Sequence, residues 1–242
     1  QTVSAGAWKS YVHTLQNDGT PSYWWRLGEA SNNNTASAQT GGQNGTYDNG
    51  HGVQSPGAIT GDGNTAATFN GTNQCLRFGD YFDTVAQTKF SVELWFRLTA
   101  SHNGRTPRLA GKISGQGGWE IAINAPDAAT NKNEIYFSRI DKYGNASYTG
   151  SGAPISTNTW YHVVATYNGS AMAFYLNGVQ TGTTNTTGDV DNNAEPVFVG
   201  CLGNSSQYFT CAIDEVALYY DLALTPRQVK SHYYAGLANG SS

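Results

Sequence analysis

The chain has 242 residues, of which 12% are charged and 29 are glycine, and its formal net charge is −4. That length suits one large all-β domain or two small ones and can bury a sizeable core. With a pI near 5.7 the chain lacks the basic surface that phosphate binding needs, which excludes nucleic acid as an expected partner, and no apolar run is long enough to insert into a membrane. Solubility must therefore come from Asn, Ser, Thr and Gly, a composition common in secreted β proteins. The chain begins at Gln1 without a basic, apolar leader, which reads as a processed chain or an excised segment. Three cysteines are too few for a small disulfide scaffold and fit one bridge with one thiol left over.

In chain order, Ser4–Gln16 carries Trp8, Tyr11, Val12 and Leu15 at helical spacing, and Asn17-Asp18-Gly19 ends that helix. Tyr23–Leu27 is an aromatic strand. Gly28–Gly63 is dominated by Asn, Ser, Thr, Gly and Gln and reads as loop with at most one short hairpin. Thr65–Phe69 and Gln74–Phe78 are strands around Asn70-Gly71. In Phe90–Leu98 the residues Val92, Leu94, Phe96 and Leu98 share one face, and Glu93, Trp95 and Arg97 the other. Arg108–Ile113, Trp119–Asn124 and Glu134–Arg139 follow as strands, with a further short one at Ser147–Gly150. Trp160–Gly178 is the central signal. Two runs rich in β-branched and aromatic residues meet at Asn168-Gly169-Ser170, and Asn177-Gly178 turns into a polar strand, Val179–Thr184. The first of those runs is apolar on both parities, as a strand covered on both faces requires. Pro196–Gly200 and Tyr208–Tyr220 are strands flanking a polar turn. Cys201 and Cys211 bracket that turn, so in an oxidising compartment a Cys201–Cys211 bridge is expected, with Cys75 left over. Thr225-Pro226 opens a last helix through Tyr234. Many short strands with terminal helices predict an all-β protein, a two-sheet antiparallel sandwich.

Several phrases line up in order: YWWRLGE at Tyr23–Glu29, GDGNTAATFNGTN at Gly61–Asn73, FSVELWFRL at Phe90–Leu98, TWYHVVATYNG at Thr159–Gly169, FYLNG at Phe174–Gly178, and CAIDEVALYYDLALTPRQVKSHYYAG at Cys211–Gly236. Together they resemble a laminin-G-like domain of the concanavalin A-like lectin/glucanase superfamily. The resemblance covers about residues 22–237 and implies a jelly roll of two antiparallel sheets; with the short terminal helices read above, the chain divides into a helical extension (1–21), the jelly-roll domain (22–237) and a tail (238–242). It also implies an alternative bridge, Cys75–Cys211, because in this fold the strand of Cys75 can pair with the last long strand.

Glucanases of that superfamily carry Glu-x-Asp-x-Glu along one strand, which puts their carboxylates on one face. This chain has no such run, and Asp214-Glu215 are adjacent, so on a regular strand they would point to opposite faces. The Gln-Ile-His segment of alginate-lyase-like members is absent too. The histidines show no metal spacing, and His162 in mid-strand reads as structural. The reading is a secreted, cell-surface or virion-surface module that binds carbohydrate without cleaving it. Its rivals are a self-associating subunit of a surface filament or phage tail, and a divergent lyase or hydrolase. The resemblance implies a structural calcium ion held by Asp62, Asn70 and Asp214, since this ion collects oxygen ligands. A glycan needs an aromatic platform beside amide, carboxylate or guanidinium groups. Trp119, Tyr136, Arg139, Asp141, Tyr143 and Tyr148 supply these, although Tyr136 and Arg139 differ in parity and face opposite sides.

Overall fold

The structure is a computed structural model, and it describes residues 10–30, 33–52, 55–84, 88–102, 106–114, 117–124, 133–188, 190, 193–203 and 207–238. Two antiparallel sheets face each other as a jelly-roll sandwich. The nine-stranded sheet runs β15 (Val179–Asn185), β14 (Ala171–Leu176), β13 (Tyr161–Tyr167), β8 (Phe90–Leu98), β17 (Thr210–Tyr220), β1 (Tyr23–Trp25) and β3 (Ala38–Thr40). The first half of β17 pairs instead with β6 (Thr65–Asn70), which carries β5 (Ser55–Pro56). The eight-stranded sheet runs β12 (Ala146–Pro154), β11 (Glu134–Ile140), β10 (Gly117–Ile123), β9 (Arg108–Ser114), β16 (Phe198–Val199), β7 (Cys75–Arg77), β4 (Gly45–Asp48) and β2 (Thr35–Ala36).

Period-two burial builds the layer between the sheets. Val92, Leu94, Phe96 and Leu98 of β8, with Val163, Ala165 and Tyr167 of β13, meet Trp119, Ile121 and Ile123 of β10 and Ile135 and Phe137 of β11. The opposite parity, Trp95, Val164, Tyr175, Ala217 and Tyr219, forms a second core outside the nine-stranded sheet. Two helices cover it: α1 (Tyr11–Asn17) through Tyr11 and Leu15, and α2 (Pro226–Ala238) through Val229 and Ala235. Strand β13 is thus covered on both faces, as its composition requires. Helix α2 opens with a capping box: Gln228 N donates to Thr225 Oγ1 (3.3 Å), and Thr225 N donates to Gln228 Oε1 (2.9 Å). Asn177 and Gly178 both take positive φ, 51° and 77°, the backbone that a tight turn between twisted strands demands.

Helix α1 is shorter than the expected Ser4–Gln16, and Ser4–Lys9, including Trp8, lies outside the described residues. Gly28–Gly63 is mainly loop, as expected, but it holds more than one short hairpin: β2 pairs with β4, β3 with β1 and β5 with β6, and runs of two to four residues are too short for a period to show.

The cysteine pairing also differs from expectation. Cys75 bonds Cys201, with Cα atoms 5.6 Å apart, and Cys211 is a buried free thiol. The strands Phe198–Val199 and Thr210–Tyr220 belong to opposite sheets, so Cys201 and Cys211 are not cross-strand neighbours. Strand β7 is not in the sheet of β17 either, so the strand pairing behind the alternative Cys75–Cys211 bridge does not form. Instead β7 pairs with β16, and Cys75 and Cys201 lie just beyond that pairing. Non-reducing peptide mapping is expected to recover a Cys75–Cys201 peptide, with Cys211 alkylated only after unfolding. Cys201→Ser is expected to lower stability by about 2–5 kcal/mol, as loss of a long-loop bridge does.

One buried carboxylate ties the helices to the sheet. Glu93 of β8 is fully buried and accepts from four side chains: His162 Nε2 (2.8 Å), His232 Nδ1 (2.9 Å), Tyr11 OH (3.0 Å) and Tyr219 OH (2.8 Å). Burial alone would raise the Glu93 carboxyl. His232 and His162 outweigh it and hold the group well below the usual carboxylate range. Burial alone would lower His232, but Glu93 outweighs that and raises it. The Glu93 contribution to stability is present above its unfolded value near ~4.3 and is lost as pH falls through the depressed one. The His232 contribution is full below ~6.5 and is lost as pH rises through the raised one. Both are therefore complete only between about pH 4.3 and 6.5. Glu93→Gln is expected to cost about 3 kcal/mol there, with a smaller gap from the natural chain outside that window. Urea unfolding of both chains across pH checks this.

Candidate functional site

The outer face of the eight-stranded sheet carries a cavity of about 530 Å³, within the range of pockets that hold small ligands. Register builds it. Phe198 lies opposite Gly111, Gly111 opposite Glu120, Glu120 opposite Ser138, and Ser138 opposite Tyr148, a row across five strands. A second row places Ala122 opposite both Arg108 and Tyr136. Gly111 leaves the floor open: a Cβ there would sit 3.2 Å from the Trp119 carbonyl oxygen and 3.3 Å from Glu120 Cβ. Ile113, Ile140, Phe198 and Leu202 supply apolar walls.

Glu120 is the polar centre of the cavity. It is 4% exposed, and its Oε2 lies 2.5 Å from Arg108 Nε. Its Oε1 accepts from Tyr136 OH and Ser138 Oγ, each at 3.2 Å. Burial, and then the nearby Glu120 charge, push the Tyr136 hydroxyl up, so it stays a neutral donor. The Tyr136 and Tyr148 rings meet edge to face at 5.8 Å, and Tyr148 is 56% exposed at the mouth.

Of the six residues expected to bind a ligand, Tyr136 and Tyr148 line this cavity. Trp119 does not. It shares parity with Ile121 and Ile123 and is buried between the sheets against Phe82 and Phe90. The glycines before it, Gly117 and Gly118, begin β10 and pair with β9, and β10 lies inside the sheet between β9 and β11. Arg139 also faces inward, its guanidinium 4.2 Å from the centre of the Tyr167 ring. Asp141 caps the β11–β12 turn, accepting from Tyr143 N (2.9 Å) and Asn145 N (2.8 Å), and the Asn145 side chain first among its donors holds the carboxyl below its usual range. Tyr143 is exposed on that turn, away from the cavity. Arg108, Glu120 and Glu195 are lining residues that the sequence reading did not single out. Strand alternation puts Glu120 outside the Trp119–Ile121 core, but only register brings Arg108 to it.

The calcium candidates separate. In β17 a bulge falls between Asp214 and Ala217, with Glu215 at φ 53°. Burial switches parity there: Cys211 and Ile213 face the inter-sheet core before it, Val216 and Leu218 after it. Asp214 and Glu215 consequently lie on the same outer side, not on opposite faces. Arg26 bonds Asp62 and Glu215, Trp24 Nε1 donates to Glu215 Oε2 (2.8 Å), and Ala58 N donates to Asp214 Oδ2 (2.8 Å). Asp214 Oδ1 is buried without a hydrogen-bond partner. Burial raises Asp214, reinforced by Glu215, and burial pushes Glu215 up to about 7 against the pull of Arg26. Asn70 is elsewhere. It pairs with Thr210, four residues from Asp214 along β17, or about 13 Å of strand. Its Oδ1 accepts from Thr72 N and Asn73 N in its own turn. Among the described residues no three His, Cys, Asp or Glu side chains form a metal-holding group.

A jelly-roll sandwich with one sheet face under helices and the other carrying an aromatic-lined cavity is a lectin-like architecture. The chain belongs to the concanavalin A-like lectin/glucanase superfamily: the model of a laminin-G family within it matches residues 70–230. No curated protein matches the chain in sequence. Among solved structures it is similar to the binding domain of Paraclostridial Mosquitocidal Protein 1, with 17% identity over 87% of this chain and 51% of that one and a TM-score of 0.68. It is also similar to the binding domain of botulinum neurotoxin serotype G, with 13% identity, 89% and 51% covered, and a TM-score of 0.65. The receptor-binding domain of the botulinum neurotoxin C/D mosaic serotype gives 13% identity, 89% and 51% covered, and a TM-score of 0.66. The chain spans about half the length of these binding domains, and at such identities the likeness is one of fold. No helix among the described residues is long and apolar enough to cross a membrane.

Proposed function

We propose that this chain is a non-catalytic, extracellular carbohydrate-binding module whose site is the cavity on the eight-stranded sheet. The observation that carries the reading is the meeting of an exposed ring, Tyr148, with the Tyr136–Glu120–Arg108 cluster beside apolar walls. A sugar has apolar C–H faces and hydroxyl edges, and this combination matches both. The family and the toxin binding domains of like fold support a binding role, and the disulfide supports a secreted or surface location. Glycan-array binding followed by calorimetry tests the proposal. Tyr148→Ala is expected to weaken binding about tenfold, some 1.4 kcal/mol, with an unchanged melt. Trp119→Ala is expected to lower stability by about 3–5 kcal/mol, because it empties a core position. Release of reducing ends or unsaturated uronates from the same glycans would replace the binding reading with an enzymatic one.

A calcium ion is proposed separately and on narrower grounds. The unpartnered Asp214 Oδ1 is the oxygen a cation would take, with Asp62 as the second carboxylate and Arg26 yielding part of its hold on it. Asn70 has no part in that version. Thermal melts in calcium and in EDTA are expected to differ, since a ligand bound only by the native state stabilises it, and Asp214→Asn should remove the difference. Identical melts in the two buffers would retire calcium and leave Arg26 as the cation of this cluster.

A further inference from the structure

The charges around the cavity are arranged against an acidic ligand. Among the described residues its lining holds one guanidinium, Arg108, and two carboxylates, Glu120 and Glu195. The Arg108 and Glu120 side chains are 13% and 6% exposed, and they form an ion pair at 2.5 Å. Glu120 is anchored on its other oxygen by Tyr136 and Ser138, so it cannot swing away to release Arg108 without breaking both bonds. Glu195 is exposed and adds negative charge at the rim.

A sugar carboxylate entering this space would meet two like charges and would have to share with Glu120 a cation already held. Like charges brought together in a partly desolvated site disfavour binding. An uncharged sugar meets no such penalty. Its hydroxyls can donate to remaining lone pairs of Glu120 and Tyr136, and its C–H face can lie on Tyr148.

We propose that the cavity selects uncharged sugar chains, and that the buried Arg108–Glu120 pair is the specificity device, because Glu120 occupies the one cationic group that lines the site among the described residues. The proposal rests on the glycan reading of the same cavity, and it goes further by assigning the ligand's charge and the residue that enforces it.

The test uses calorimetry with two matched panels: neutral hexasaccharides of glucan, mannan, xylan and galactan, and hexasaccharides of mannuronate and galacturonate. The natural chain is expected to bind its best neutral hexasaccharide at least tenfold more tightly than any uronate, with affinity changed less than twofold by 1 M NaCl, as for an uncharged ligand. Glu120→Gln keeps the side-chain size and an acceptor for Tyr136, and it leaves Arg108 unneutralised. It is expected to gain at least tenfold in uronate affinity, and that gain should vanish in high salt. Glu195→Gln, on the exposed rim, is expected to fold normally and to gain about threefold, so the charge argument stays testable if Glu120→Gln fails to fold. A natural chain that prefers uronates would overturn charge selection and leave the glycan reading standing. A folded Glu120→Gln with no uronate gain would overturn the assigned role of the pair. Absence of binding across both panels would overturn the glycan reading and this inference together.

Discussion

A carboxylate with no access to water holds the two helices to the sandwich. Glu93 receives two imidazoles and two phenols, from β13, β17, α1 and α2. An isolated buried carboxylate would be prohibitive; one whose lone pairs are all engaged is tolerated and specifies its neighbours' positions. Helix α1 has seven residues, too few to persist alone. It exists because Tyr11 and Leu15 are buried in the outer core and the Tyr11 hydroxyl reaches Glu93. The same node fastens His232 of α2, so both ends of the described chain close over one sheet face.

That arrangement was legible in part. Alternation in Phe90–Leu98 separates Glu93 and Trp95 from Val92 and Leu94, and the doubly apolar Tyr161–Tyr167 announces a strand covered twice. The capping box of α2 and the Asn177-Gly178 turn are local chemistry, so they can be read from neighbouring residues alone. The opposite orientation of Tyr136 and Arg139 follows from parity in the same way. Convergence of four donors on Glu93 does not, since sequence separations of 69 to 139 residues carry no local signal.

The features that escaped the sequence are of two physical kinds. One is a break in period. The bulge at Glu215 shifts the alternation of β17 by one residue and turns Asp214 and Glu215 to the same side, and a single non-glycine residue at positive φ leaves no compositional trace. Two adjacent buried carboxylates on one side then need a cation, and Arg26 meets Glu215 there along with Asp62. The other kind is sheet membership. Phe198–Val199 and Thr210–Tyr220 are consecutive in sequence yet belong to opposite sheets, and that one fact decides the cysteine pairing. It also decides the cavity, whose floor crosses five strands in register.

With one sheet face taken by helices, a ligand surface falls to the other sheet, and two constraints stiffen it. On one side Cys201, Leu202 and Gly203 form part of the wall, and the Cys75–Cys201 bridge fastens that wall to β7. On the other side the edge strands of the two sheets meet. Thr181 Oγ1 donates to the Gly150 carbonyl (2.9 Å) and Thr184 Oγ1 to the Tyr148 carbonyl (2.6 Å). The exposed Tyr148 ring therefore stands on a backbone held from the neighbouring sheet, while the ring itself touches only Tyr136 among the aromatic residues described. A platform whose backbone is already ordered loses little further freedom when a ligand settles on it. The seam that closes the sandwich at β12 and β15 thereby also positions the most exposed aromatic side chain of the site.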